Sequence, residues 1–179
     1  MSRQERPGTA RRILAFVPAA ALMVIIFLFS AQPAEESTEV SVYIGEKFYQ
    51  AANDLFGFGW SAEMIAGLTL QAQHVIRKIA HFLEYLLLAA MLFHGFRVNL
   101  SAREGSDPRR LWAAAAAFAG ILYAVSDEVH QLFVPGRSGM ISDVIVDWGG
   151  VLTGTLLSVL VVTRRMHRMK KKQEAADNG

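Results

Sequence analysis

Apolar residues gather into four long runs separated by polar segments, each close to the roughly 20 mostly apolar residues that a bilayer core demands. The runs cover residues 13–29, 76–96, 111–125 and 144–163. The first holds Pro18, which a membrane helix tolerates. The third is alanine-rich and short unless it continues through Ser126 towards Gln131. The pattern predicts an all-α integral membrane protein, a four-helix transmembrane bundle with short extracytoplasmic amphipathic helices. One membrane domain then spans residues 13–163, between a basic N-terminus (1–12) and a basic tail (164–179).

Composition agrees. At 53% hydrophobic residues, 19% charged and a mean hydropathy of +0.28, the chain is too apolar for an ordinary soluble domain. Charge gives the orientation. Residues 1–12 hold four Arg and one Glu, residues 97–110 four Arg against two acids, and residues 164–179 six Lys or Arg against two acids. Residues 30–76 hold six acids and one Lys, and residues 126–147 four acids and one Arg. Basic and acidic segments alternate as four spans require. The positive-inside rule then places both termini and the 97–110 loop in the cytoplasm and the 31–75 loop outside. The pI near 9.1 could suggest a nucleic-acid partner. The basic residues lie beside helix ends instead, where they anchor to an anionic leaflet, so lipid bilayer is the partner and no nucleic acid is expected. With no cysteine, disulfides, a catalytic thiol and thiolate metal sites are excluded. The first run lacks a small-x-small cleavage motif after Phe29 and reads as an uncleaved signal anchor.

In the outer loop, Val40, Ile44, Phe48, Ala51 and Leu55 recur at helical spacing opposite Glu39, Glu46 and Gln50. Gly57-Phe-Gly59 breaks this helix, and Ser61 can cap a second short one leading into the second span. The simpler expectation is a lid packed on the bundle. A helix lying in the outer leaflet to meet a lipid or amphiphile is compatible with it.

The spans carry three polar stripes. On the second span His74, Lys78, His81, Glu84 and Tyr85 fall within an arc of roughly 120°. On the third, continued helically, Tyr123, Asp127, His130 and Gln131 share a face with Glu128 to its side. On the fourth, Asp143, Asp147, Gly150, Gly154 and Ser158 lie within about 80°, so glycines that permit close helix approach share a face with acids. Val134-Pro-Gly-Arg-Ser-Gly139 suits a type II turn that would hold Arg137 above the acids, ready for an ion pair or an anionic substrate group. Ionisable groups at membrane depth are costly and mark sites. All three stripes lie at the outer helix ends, which predicts an outward-facing polar cup.

These residues resemble the VanZ-like family of bacterial membrane proteins, named after an accessory factor for resistance to the glycopeptide teicoplanin. The resemblance rests on Lys78-x-x-His81-Phe-x-Glu84-Tyr85, on Ser126-Asp-Glu-x-His-Gln-x-Phe-x-Pro-Gly-Arg137, and on Asp143-Val-x-x-Asp147 with Gly150 and Gly154. It implies a cell-envelope role in antibiotic susceptibility and leaves the biochemical activity open.

Three classes of function fit. The first is a non-enzymatic protein binding an amphiphile, a cell-wall lipid precursor or a lipoglycopeptide, with Lys78, His81, Glu84, Tyr85, Gln131, Arg137, Asp143 and Asp147 as ligand-binding residues. The second is a membrane-embedded hydrolase or transferase on a lipid-linked substrate. Its catalytic candidates are Asp127, Glu128 and His130, and a divalent metal is compatible with the acids and imidazoles. In the third, the polar groups merely pair across helices, at under about 1 kcal/mol per hydrogen bond.

The orientation is testable with an impermeant thiol reagent on intact cells. Glu46→Cys and Ser138→Cys are expected to label and Arg103→Cys to stay silent; labelling of position 103 alone would invert the topology.

Overall fold

A computed structural model describes residues 8–101, 106–137 and 140–177 of the chain. Arg103 and Ser138, two of the labelling positions, lie outside the described residues, as does most of the basic N-terminus. The described chain is helical throughout: α1 (Thr9–Leu14), α2 (Val17–Ser30), α3 (Ala34–Phe56), α4 (Ala62–Asn99), α5 (Pro108–Gln131) and α6 (Ile141–Asp177). Four stretches are long and apolar enough to cross a membrane, namely Thr9–Ser30, Ala62–Asn99, Pro108–Gln131 and Ile141–Asp177.

The first run is not one unbroken helix. Pro18 opens α2 and has no N–H to return to the Leu14 carbonyl, so the chain turns at Ala15 and Phe16 between α1 and α2. The turn presses the Phe16 ring onto Gly95 of α4, where a Cβ would collide with it, and edge-on against Phe96, 5.2 Å between centroids. Asn99 holds the same corner, accepting from Arg12 Nε at 3.1 Å and donating to the Arg12 carbonyl at 3.0 Å.

Ser61 caps α4 as expected, its hydroxyl accepting from the Met64 N–H at 3.2 Å. The helix that it opens is not a separate short one. The segment fuses with the second span into a single helix of 38 residues, about 57 Å long and nearly twice a bilayer core. Its first half packs antiparallel against α3, with Gly45 seated on Thr69 and Ile76. The side of α3 facing α4 is small and polar, with Ser41 and Gly45 buried. The apolar stripe points elsewhere: Val40 is 43% exposed, Ile44 50%, Phe48 66% and Leu55 77%. The stripe therefore does not close onto the bundle as a lid. α3 begins at Ala34, and Gly57 ends it in the left-handed conformation (φ 66°).

α5 continues to Gln131, bringing Asp127 and Glu128 into helical register with the span. Its start is capped by Asp107, whose carboxylate accepts from the backbone N–H and the guanidinium of Arg109. That pairing holds the Asp107 carboxyl below its usual range, while Arg109 reaches α6 at Thr163, 2.9 Å away. Tyr123 donates to the Met23 carbonyl at 2.5 Å and fixes α5 to α2.

The centre of the bundle is the α4–α6 contact. A Cβ at Gly150 would strike the Phe82 carbonyl oxygen and come 3.1 Å from Leu86 N; one at Gly154 would strike the Leu86 carbonyl. The obstacles are backbone atoms, which cannot rotate away. Gly150→Leu or Gly154→Leu is therefore expected to cost about 2–3 kcal/mol in detergent, roughly 5–10 °C in melting temperature. Gly67→Ala, with open space around it, should leave stability unchanged or raise it. Parent-like melting of both leucine variants would show that α6 does not meet α4 through its glycines.

Candidate functional site

The glycine contact fixes the register of α4 and α6, which run in the same direction, and so sets the pairs one and two turns above it. His81 Nδ1 lies 3.5 Å from Asp147 Oδ1, and Lys78 Nζ lies 2.9 Å from Asp143 Oδ1. Ser142 donates to the same Asp143 oxygen at 3.1 Å. The sequence expectation that these stripes face one another is thus met by two specific pairs. They differ in kind. The Lys78–Asp143 pair is part-exposed, whereas Asp147 is 0% exposed, and neither of its oxygens nor His81 Nδ1 has a protein hydrogen-bond partner of good geometry. A carboxylate so placed is expensive to charge without a close donor.

The end of α5 supplies the next layer. Asp127, 3% exposed, accepts at Oδ2 from Ser30 of α2 at 2.9 Å and from Gln131 Nε2 at 3.1 Å. Gln131 Oε1 accepts from Arg137 Nη1 at 3.1 Å. The amide orientation follows from charge, its NH2 towards the carboxylate and its oxygen towards the guanidinium. Asp127 Oδ1 and the buried Tyr85 hydroxyl remain without a protein partner. Glu128 leaves this row and accepts at Oε1 from the Met140 N–H at 2.5 Å, placing its charge at the start of α6 where the helix dipole favours an anion. Its Oε2 is buried and unpaired. Glu84 sits on α4 within electrostatic reach of His81, Asp127 and Asp147.

Two residues occupy places that the sequence did not indicate. Arg137 forms no ion pair with the acids. The type II turn is present, with Gly136 at φ 73° and Arg137 N–H bonded to the Val134 carbonyl at 3.2 Å. It directs the guanidinium onto the C-terminal end of α2, where Nη2 donates to the Phe29 carbonyl at 3.0 Å and Nε to the Gln32 carbonyl at 2.9 Å. Arginine suits that task because its fork of donors can serve several carbonyls left over at a helix end. Burial, with the like charge of Arg77 second, pushes the Arg137 guanidinium down from its ordinary range. His130 turns from the cup towards α2 and stacks on Phe27, centroids 4.5 Å apart.

Above these layers a cavity of about 320 Å³ opens at the α3 end of the bundle. Its walls include His74, Arg77, Lys78, His81, Gln131, Arg137 and Asp143. Of the expected site residues, Lys78, His81, Gln131, Arg137 and Asp143 line it, while Asp127, Glu128, Asp147, Glu84 and Tyr85 lie outside its lining. Arg77, Thr38 and Met140 are wall residues that the predicted stripes did not include. The signal for Arg77 was present: His74, Arg77, Lys78 and His81 have the i, i+3, i+4, i+7 spacing of one helix face, and Arg77 Nη2 meets His74 Nδ1 at 2.9 Å. Among the described residues no three His, Asp or Glu side chains gather closely enough to hold a metal ion.

The arrangement has two tiers, a wetted cationic rim and a dry acidic layer beneath. No curated protein and no solved structure matches this chain. A family model described as VanZ/LLP1 matches residues 15–162, from the first span through the fourth and across every residue of both tiers. The chain therefore belongs to the VanZ/LLP1 family and is a membrane protein of that family.

Proposed function

We propose that this protein binds an amphiphile with an anionic headgroup, a cell-envelope lipid or lipoglycopeptide, at the outer face of the bacterial plasma membrane, and so modulates susceptibility to teicoplanin-like antibiotics. The observation that carries this reading is the pairing of a cationic cavity with an exposed apolar helix beside it. Arg77, Lys78 and Arg137 face Asp143 as the sole acid of the wall, and Arg77 and Arg137 disfavour one another, a repulsion that an anion between them would relieve. The exposed stripe of α3 can lie in the leaflet against an acyl or prenyl chain while the headgroup enters the cup. The outward orientation is supported by charge: Arg97, Arg110, Arg164, Arg165 and the Lys170–Lys172 run all lie towards the opposite end, which the positive-inside rule places in the cytoplasm with both termini.

A second reading has its own support. The buried unpaired oxygens of Asp127, Glu128 and Asp147, the last with His81 3.5 Å away, are the kind of groups that divide acid and base roles in a hydrolase or transferase acting on a lipid-linked substrate.

Titration of the protein in nanodiscs with a fluorescent polyprenyl phosphate separates the readings. Binding is expected to exceed that of a zwitterionic lipid of equal chain length, and Arg77→Gln should weaken it about fivefold, as removal of one basic contact near a membrane surface does. In cells the same variant should erase the difference in teicoplanin susceptibility between strains with and without the gene. Equal binding of both lipids, or an Arg77→Gln variant that binds like the parent, contradicts the proposal. Turnover of the bound lipid that stops with either Glu128→Gln or Asp147→Asn would establish the enzyme instead; binding without turnover in the parent favours the first reading.

A further inference from the structure

The end of the bundle away from the cup carries a second site. Below Gly154 the side chains of α4 and α6 leave a groove between the two helices. Its walls are largely apolar, formed by Leu86, Ala90, Phe93, Leu157 and Val161, and its mouth carries Arg97 and Arg165. An adjoining pocket shares both arginines and adds Arg168 and Lys172. Each has a volume of about 350 Å³. No acidic residue lines either one. Among the described residues the ion pairs are Lys78–Asp143, His81–Asp147 and Arg109–Asp107, so these four basic residues take no part in them.

We infer that this groove binds one anionic phospholipid of the surrounding leaflet, its phosphate between Arg97 and Arg165 and one acyl chain along the α4–α6 seam. Length agrees with this occupant. From Gly154 to Arg165, as from Leu86 to Arg97, is a rise of about 17 Å along each helix, close to the roughly 15 Å of one leaflet's hydrocarbon. Charge agrees as well, since basic pockets between membrane helices recruit acidic headgroups. The site is at the opposite end from the cup and does not depend on what the cup binds.

Native mass spectrometry of the detergent-solubilised protein, with equal phosphatidylglycerol and phosphatidylcholine of matched chains, tests the assignment. The parent is expected to retain phosphatidylglycerol preferentially. Arg97→Gln combined with Arg165→Gln should weaken that retention about 25-fold, since each basic contact at a membrane surface contributes about one factor of five. Arg110→Gln combined with Arg164→Gln removes the same charge elsewhere and should keep the preference. Ser158→Phe, which fills the groove and leaves the arginines in place, should lose it. Equal retention of the two lipids, equal weakening by both double variants, or displacement of the lipid by millimolar inorganic phosphate would overturn the proposal. So would a dimer that excludes lipid from this face.

Discussion

The structure depends on the absence of two side chains. Gly150 and Gly154 let α6 approach the backbone of α4 at Phe82 and Leu86. In lipid there is little hydrophobic gain from bringing helices together, so close van der Waals contact of this kind becomes a principal source of association. It also fixes register. Because the helices run in the same direction, sliding either by one turn would move every pair by about 5.4 Å. Lys78 meets Asp143, His81 meets Asp147, and further along Arg97 comes beside Arg165 because Leu86 is locked against Gly154.

That register explains the contrast between the two tiers. At the mouth, the Lys78–Asp143 pair keeps contact with solvent and is only a modest stabilising interaction. One turn deeper, Asp147 is cut off from water, with the imidazole of His81 3.5 Å away. Asp127 is better provided for, through Ser30 and a Gln131 that is itself held by Arg137. The loop arginine therefore acts on the acidic layer at second hand. Its guanidinium fastens the end of α2 to the turn, and α2 carries the serine that satisfies Asp127.

Much of this was legible in the chain. Hydropathy located the four spans, the Ser61 cap and the Pro135-Gly136 turn appeared where their chemistry placed them, and the shared face of glycines and acids on α6 was visible on a helical wheel. What the wheel cannot give is the neighbour. Tyr123 and His130 lie on the expected stripe of α5, yet α2 claims both, one through the Met23 carbonyl and the other through Phe27. Arg137 was read by its charge, whereas its donors go to backbone carbonyls that have no signature in a sequence. Amphipathicity showed that α3 has an apolar stripe, but helices can also pack through small residues, as Ser41 and Gly45 do here, leaving the larger apolar face open.

Because the chain has no native cysteine, the register can be tested directly by cross-linking in membranes. His81→Cys with Asp147→Cys is expected to join efficiently through a short bis-thiosulfonate reagent. His81→Cys with Met140→Cys, seven residues before Asp147 and just ahead of α6, about 10 Å further along the axis, should not. Efficient linkage of the 81–140 pair together with none at 81–147 would mean that the glycine contact does not set the alignment of α4 and α6, and that the acidic layer is built some other way.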